Sequence, residues 1–295
     1  MTTPPPLTAW NLDPPAILFV LALLGAYLAV TGPLRERFAL GEPVSRRRLI
    51  LFVSGCALLA LIVLSPLDTL AHHYLFSAHA VQLFLLITAV APLLMAGLPE
   101  WLVALILPLE SLREATRGLL FPIIAILAFN GVIITWHVGP LYEAALRTPW
   151  LYDLQLLSIL LAGMVDWWPL LTPLDRDTRL ASPFQLLYLG VESIPLDLFG
   201  IVTLFSRSPF YPTYEHAARI SGIPALIDQQ AAGGIVAIPN NVVDFVLMSA
   251  VFFGWLAHMD RAQAERERAE AEAERAELEA RTLAREAEQG QATPS

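Results

Sequence analysis

The stretch FSAHAVQLFLLITAVAPLLMAGL, residues 76–98, decides the fold class of this chain. It contains no Asp, Glu, Lys or Arg, and a helix needs about 20 mostly apolar residues to cross a lipid bilayer. The whole chain is 56% hydrophobic and only 15% charged, whereas soluble domains carry about 25% charged residues. The sequence therefore predicts an all-α, polytopic membrane protein.

Six further apolar stretches are long enough to cross a bilayer. Their continuous apolar runs favour helices over the strands of a membrane barrel, because barrel strands alternate apolar and polar residues. The seven predicted transmembrane helices are Pro15–Gly32, Leu49–Leu67, Phe76–Leu98, Leu119–Trp136, Leu151–Leu170, Phe184–Phe205 and Gly233–Leu256.

The arginines decide the predicted orientation, because the chain has no lysine. They concentrate in the first, third and fifth connections between the spans and in the C-terminal tail. This side includes Arg35, Arg37, Arg46, Arg47, Arg48, Arg113, Arg117, Arg176, Arg179, Arg261, Arg266 and Arg268. The other side holds only Arg147, Arg207 and Arg219. By the positive-inside rule, the N-terminus is predicted outside and the C-terminus in the cytoplasm.

Two domains are predicted. Residues 1–258 form a seven-helix membrane domain, and residues 259–295 form an Ala/Glu/Arg-rich cytoplasmic helical tail. Ala, Glu and Arg are strong helix formers, and oppositely charged pairs such as Glu277–Arg281 stand four residues apart. The tail is either a solvated helix or a docking element for a partner. Much of the negative charge lies in this tail, so the net charge of −9 does not indicate a nucleic-acid partner.

Several acidic residues fall inside the predicted spans. Glu192 and Asp197 lie in the sixth span and Asp244 lies in the seventh. Carboxylates at membrane depth are costly, so they usually face the interior of the bundle, a partner or a cavity. They are expected either to line a proton or cation path, or to hydrogen-bond between helices or with a partner subunit.

Five of the six histidines fall on the predicted outer side. Imidazole is a common ligand of copper and zinc. His79 at the outer start of the third span and His137 at the outer end of the fourth are the natural pair, and Asp228 before the seventh span could add an oxygen ligand. The other outer histidines are His72, His73 and His216. The alternative is that these histidines only form hydrogen bonds at the membrane interface.

A series of short motifs carries a resemblance to a known family. The motifs are FSAHAVQ (76–82), APLLMAGLP (91–99), WHVGPLYEAAL (136–146), LAG (161–163), WWPL (167–170), PFQLLYL (183–189), YPTY (211–214) and DQQAAGG (228–234). In order and spacing they resemble the CtaG-like cytochrome c oxidase assembly factors of the caa(3)-oxidase type, over about residues 15–258. The resemblance implies a multi-pass protein of the bacterial inner membrane that assists copper insertion into haem–copper oxidase and is not an enzyme. The positions that could serve copper are His79, His137 and Asp228.

The chain departs from the family pattern at three expected ligand positions. The family carries a second histidine four residues after the first in the third span, where this chain has Leu83. It also carries histidines near the outer start of the fifth span, where this chain has Tyr152 and Leu156. These departures leave the binding of a metal open.

The sequence therefore supports three alternative hypotheses for the function. The first is an oxidase assembly factor that delivers copper or acts as a scaffold, with membrane lipid and haem–copper oxidase subunits as partners. The second is a structural accessory subunit of another respiratory or photosynthetic membrane complex, with a degraded metal site. The third is an ion or proton transporter that uses Glu192 and Asp244.

Overall fold

The computed structural model describes residues 10–106, 114, 116, 120–172, 174, 180–220 and 222–291, and this part of the chain contains helices and no strand. The all-α prediction is confirmed. Four arginines used for the predicted orientation lie outside the described residues, as does the predicted start of the fourth span at Leu119. These arginines are Arg113, Arg117, Arg176 and Arg179.

The described helices run in sequence with short connections. A π-helical turn, Leu86–Val90, joins the two halves of the third predicted span. The helices are α1 (Pro14–Thr31), α2 (Pro33–Phe38), α3 (Arg46–Leu64), α4 (Pro66–His73), α5 (Phe76–Leu85), α6 (Ala91–Gly97), α7 (Glu100–Ile106), α8 (Phe121–Trp136), α9 (Gly139–Arg147), α10 (Pro149–Leu171), α11 (Ser182–Glu192), α12 (Ile194–Leu204), α13 (Pro212–His216) and α14 (Ala225–Gln291).

Six helical stretches are long and apolar enough to cross a membrane, and a bent pair makes a seventh candidate. The bent pair consists of α8 and α9, which meet at an angle of 69°. The six stretches are Pro14–Thr31, Arg46–Leu64, Phe76–Gly97, Pro149–Leu171, Ser182–Leu204 and Ala225–Arg281. The prediction of a polytopic membrane protein is thus confirmed, with six or seven spans.

Two spans are interrupted at prolines, and side chains of neighbouring helices satisfy carbonyls at the breaks. Pro92 follows the π-helical turn, and the carbonyl of Ile87 in that turn accepts a hydrogen bond of 2.8 Å from Trp167 Nε1. The break between α11 and α12 precedes Pro195, and Asn130 Nδ2 donates to the Glu192 carbonyl at 3.0 Å. Proline lacks an N–H, and lipid offers carbonyls no donor, so such interhelical bonds are needed at membrane depth.

Close contacts join α1, α3 and α6. The rings of Tyr27 and Phe52 stack with 3.7 Å between their centres, and the Tyr27 hydroxyl donates to the Gly97 carbonyl at 2.9 Å. A Cβ atom at Gly97 would lie 2.6 Å from Phe52 Cβ. The absence of a side chain at position 97 therefore allows α6 to approach α3 this closely.

The chain divides into two compact units, Met1–Val246 and Leu247–Ser295. The last helix is continuous from Ala225 to Gln291, so the predicted helical tail is present as a helix. In the second unit Arg281 forms an ion pair of 2.5 Å with Glu277, one of the predicted i,i+4 pairs. The predicted domain boundary after residue 258 stays a prediction.

Candidate functional site

A small cavity lies among α5, α8, α12 and α14. Its volume of about 30 Å³ has room for one water molecule or one ion. Most of its lining is apolar, and the polar side chains that line it are His79, Thr88, His137 and Asn240.

Two histidines of this lining are neighbours. His79 lies in the first turn of α5 and is fully buried, and His137 follows the last residue of α8. Their ring centres are 5.7 Å apart, and the ring of Tyr142 lies 5.2 Å from His79 and 5.3 Å from His137. The structure thus brings together the predicted ligands of the third and fourth spans within a group of aromatic rings.

The hydrogen bonds of the two imidazoles leave a ring nitrogen of His79 unused. His137 Nδ1 lies 2.7 Å from the carbonyl oxygen of Ile133, and His79 Nδ1 lies 3.3 Å from Tyr152 Oη. His79 Nε2 is buried and has no hydrogen-bond partner among the described residues. Buried polar atoms are nearly always paired, so this nitrogen beside a cavity is available to bind a ligand or a water molecule.

Asp228, the predicted oxygen ligand, binds the beginning of α5. Its carboxylate accepts hydrogen bonds from the backbone N–H groups of Phe76 at 2.7 Å and Ser77 at 3.3 Å, and from the Ser77 hydroxyl. The residue at the N-cap of α5 is Leu75, whose side chain cannot accept these bonds. Asp228 therefore caps α5 from α14, and this role was not predicted from the sequence.

The amides that follow Asp228 hold the connection between α12 and α13. Gln229 accepts from the backbone N–H of Phe210 at 2.6 Å and donates to Ser206 Oγ at 2.7 Å, and Gln230 donates to the Ser206 carbonyl at 3.0 Å. Within the described part of the chain, no three His, Cys, Asp or Glu side chains could together hold a metal ion. Any metal in this site would thus depend on the two histidines.

The remaining histidines of this end do not line the cavity. His72 is buried and its ring stacks on Tyr152 with 4.1 Å between centres, and its Nε2 lies 3.2 Å from the Leu146 carbonyl oxygen. Burial, followed by the neighbouring charge of His73, lowers the pKa of His72 to about 4. His216 is exposed and bonds to the Pro212 carbonyl through Nδ1.

The three departures from the family pattern have different surroundings. Leu83 lines the cavity, and Leu156 is buried in the apolar core. The Tyr152 hydroxyl contacts His79 Nδ1 and donates to Gln82 Oε1 at 2.7 Å. Tyr152 therefore holds a position beside His79 and supports it as a hydrogen-bond partner. The signal for this role was a polar side chain at an expected ligand position in an apolar helix.

The carboxylates within the spans form a separate group. Asp166 accepts from the Tyr188 hydroxyl at 2.7 Å, and Asp244 accepts from Asn240 Nδ2 at 3.0 Å. Glu192 lies close enough to both carboxylates to interact with them electrostatically. Because Asn240 also lines the histidine cavity, this amide connects the two groups of polar residues.

Asp197, the remaining predicted carboxylate, accepts a hydrogen bond of 2.8 Å from Asn241 Nδ2. This bond joins α12 to α14, as expected for interhelical hydrogen bonding. Gly200 and Gly233 lie at the same pair of helices, where a Cβ atom at Gly233 would be 2.6 Å from the Gly200 carbonyl oxygen. Close approach of the two helices thus accompanies this polar contact.

The comparison with protein families agrees with the resemblance seen in the motifs. The model of the cytochrome c oxidase caa3 assembly factor family, Caa3_CtaG, matches residues 25–258. The chain belongs to this family. The Caa3_CtaG match includes His79, His137 and Asp228, and it ends at His258 in α14. No curated protein and no solved structure matches the chain. The Caa3_CtaG family is named for assembly of an oxidase, which supports an assembly role for this protein.

Proposed function

We propose that this Caa3_CtaG protein assists maturation of a haem–copper oxidase in the bacterial cell membrane by holding one copper ion between His79 and His137. It acts without catalysing a reaction and passes the ion to an oxidase subunit. The observation that carries the proposal is the buried Nε2 of His79, which has no hydrogen-bond partner among the described residues, in a side chain that lines the same cavity as His137. The arginine distribution supports a location of this end of the protein at the outer face of the membrane.

The residues around the cavity fit a monovalent copper ion better than a divalent ion. Of the described residues that line it, none is Asp, Glu or Cys, so the site offers two neutral nitrogen ligands and no compensating negative charge. A divalent zinc ion usually takes four protein ligands in structural sites or three in catalytic sites. Burial of charge in apolar surroundings is costly, so a single positive charge with imidazole ligands is favoured.

Copper binding is tested on the full-length protein in mild detergent, loaded with Cu(I) without oxygen and equilibrated with a coloured Cu(I) chelator. We expect one copper ion per chain in the wild type and loss of the tight site in both His79→Ala and His137→Ala. His216→Ala is the matched control, because His216 is exposed and does not line the cavity. Absence of stoichiometric copper in the wild type, or its retention in both cavity variants, overturns the copper proposal.

The second candidate is a structural accessory subunit of a membrane complex. It is favoured by Leu83 in the cavity wall and by the capping role of Asp228, since both remove expected ligands. The distinguishing measurement is mild-detergent purification from the native membrane with quantification of copper and copurifying subunits. A stable stoichiometric complex without copper supports the accessory subunit. Copper with only transient association with the oxidase supports the assembly factor.

A further inference from the structure

A chain of hydrogen bonds leads from His79 to a buried carboxylate outside the span. Tyr152 Oη lies 3.3 Å from His79 Nδ1 and donates to Gln82 Oε1 at 2.7 Å. Gln82 Nε2 donates to Asp68 Oδ1 at 2.9 Å, and Asn11 Nδ2 donates to Asp68 Oδ2 at 2.6 Å. This hydrogen-bond chain joins α4, α5 and α10, and all the residues in it except Asn11 are buried.

The carboxylate at the end decides the direction of every hydrogen bond in this chain. Burial raises the pKa of Asp68 to about 6, so at pH 8 it is ionised and can only accept hydrogen bonds. Gln82 must therefore direct its NH₂ group to Asp68 and its carbonyl oxygen to Tyr152. The carbonyl of Ile62, 3.4 Å from Gln82 Nε2, is a second and more distant acceptor for the same NH₂ group.

The direction of these hydrogen bonds also decides which nitrogen of His79 carries the hydrogen. The only hydroxyl hydrogen of Tyr152 is used for Gln82, so Tyr152 Oη is an acceptor towards His79 Nδ1. A neutral imidazole carries one hydrogen, which then lies on Nδ1 and leaves a lone pair on Nε2. This assignment explains why His79 Nε2 donates to no group among the described residues.

His137 has the same tautomer, but a different acceptor fixes it. Its Nδ1 lies 2.7 Å from the Ile133 carbonyl oxygen, which can only accept, so the hydrogen lies on Nδ1 and the lone pair on Nε2. Both neighbouring imidazoles of the cavity lining therefore carry a lone pair on Nε2 and no hydrogen there. Two such nitrogens cannot hydrogen-bond to each other, and together they suit a cation.

We propose that Asp68 is a positioning residue that, through Gln82 and Tyr152, keeps the hydrogen of His79 on Nδ1 and its Nε2 lone pair available to the cavity. The tautomer follows from the hydrogen bonds alone. Only the identity of the ion that uses the lone pair rests on the proposed function.

Replacing Asp68 with asparagine removes the group that can only accept, so the direction of the hydrogen-bond chain is no longer fixed and can reverse. The new amide can direct its oxygen to Asn11 and its NH₂ group to Gln82, which then rotates and donates to Tyr152. The Tyr152 hydroxyl in turn donates to His79 Nδ1, and the imidazole hydrogen moves to Nε2. A hydrogen on Nε2 has to be displaced before an ion can bind there.

The test is ¹⁵N NMR of the metal-free full-length protein with labelled histidine, at pH 8, where the two neutral tautomers of imidazole give distinct shifts for Nδ1 and Nε2. Loss of the signals in His79→Ala assigns them. We expect the Nδ1–H tautomer in the wild type, a clear rise of the Nε2–H tautomer in Asp68→Asn, and a mixture in Tyr152→Phe, which keeps the ring but lacks the hydroxyl. Asp153→Asn is the matched control, because this exposed carboxylate follows Tyr152 in the sequence and takes no part in the hydrogen-bond chain.

An Nε2–H tautomer in the wild type, or an unchanged tautomer in both Asp68→Asn and Tyr152→Phe, overturns the inference. Cu(I) affinity is the second measurement, and we expect a loss of about 10–100-fold in Asp68→Asn, the usual effect of removing a partner that orients a ligand. A reversed tautomer with unchanged Cu(I) affinity upholds the positioning role and refutes the proposed copper site, so the two failures are distinguishable.

Discussion

Asp228→Ala is expected to destabilise the protein while leaving Cu(I) binding at the proposed site unchanged. The substitution removes the acceptor of the Phe76 and Ser77 N–H groups and of the Ser77 hydroxyl. A buried donor left without a partner costs about 1–3 kcal/mol, and loss of a helix cap costs about 0.5–2 kcal/mol. Because the Phe76 N–H is buried and the Ser77 groups are only partly so, we expect a loss of about 2–4 kcal/mol in the free energy of unfolding.

The assay is reversible unfolding in mixed micelles of a mild detergent and sodium dodecyl sulfate, followed by tryptophan fluorescence. Asp228→Asn keeps one acceptor oxygen at the same place, so we expect it to lose roughly half as much stability as the alanine variant. Asp260→Ala is the control, because Asp260 is exposed in the charged tail and its removal should leave stability within about 0.5 kcal/mol of the wild type.

The copper titration, made where each variant is fully folded, separates capping from metal binding. A capping role predicts unchanged Cu(I) stoichiometry in Asp228→Ala, since its carboxylate binds the beginning of α5. If the variant is as stable as the wild type, the argument from its hydrogen bonds is refuted, and if it also loses copper, Asp228 is a metal ligand.

Three further predictions concern stability in the same micelle assay. Gly97→Ala is expected to lose about 1–3 kcal/mol by overpacking, because its Cβ would lie 2.6 Å from Phe52 Cβ, and a neutral result would contradict that contact. Asn130→Ala should lose about 1–2 kcal/mol, because the Glu192 carbonyl loses its donor, and an unchanged stability would show that another donor replaces it. Burial lowers the pKa of His72 from its ordinary 6.5 to about 4. The stability that neutral, buried His72 contributes is therefore fully present above pH 6.5 and is lost as the pH falls towards 4. The difference in stability between wild type and His72→Phe should shrink by about 3 kcal/mol across that range, and a constant difference would contradict a buried, neutral His72.

The membrane helices could be predicted closely because their signals are local. The predicted span Pro15–Gly32 is observed as Pro14–Thr31, where Asp13 accepts a hydrogen bond from the Ala16 N–H and Pro14 fits the first helical position. Hydropathy depends only on the composition of a window, and proline and glycine mark helix ends by their own backbone properties. Neither signal requires knowledge of neighbouring helices.

The partners of the carboxylates could not be predicted in this way. Asp228 was interpreted as an oxygen ligand because it lies near histidines in the predicted topology, yet its partner Phe76 stands 152 residues away in the sequence. Which donor a carboxylate meets depends on the packing of helices to within a hydrogen-bond length. The one local indication was Leu75 at the start of α5, since a helix beginning with a residue that cannot cap needs a cap from elsewhere.

The physical cost of His79 bears on whether the site has lost its metal. Without an ion or a water molecule in the cavity, the buried Nε2 of His79 would be unpaired, which costs about 1–3 kcal/mol compared with a paired or apolar side chain. In this chain Leu83 already stands at one expected ligand position, so an apolar residue is tolerated in the cavity wall. Yet His79 remains, and Tyr152, Gln82 and Asp68 form a complete hydrogen-bond chain behind it. A buried hydrogen-bond chain of this kind is useful if the imidazole at its end binds a ligand in the cavity. It therefore favours a site that has kept fewer ligands over a site that has lost ligand binding.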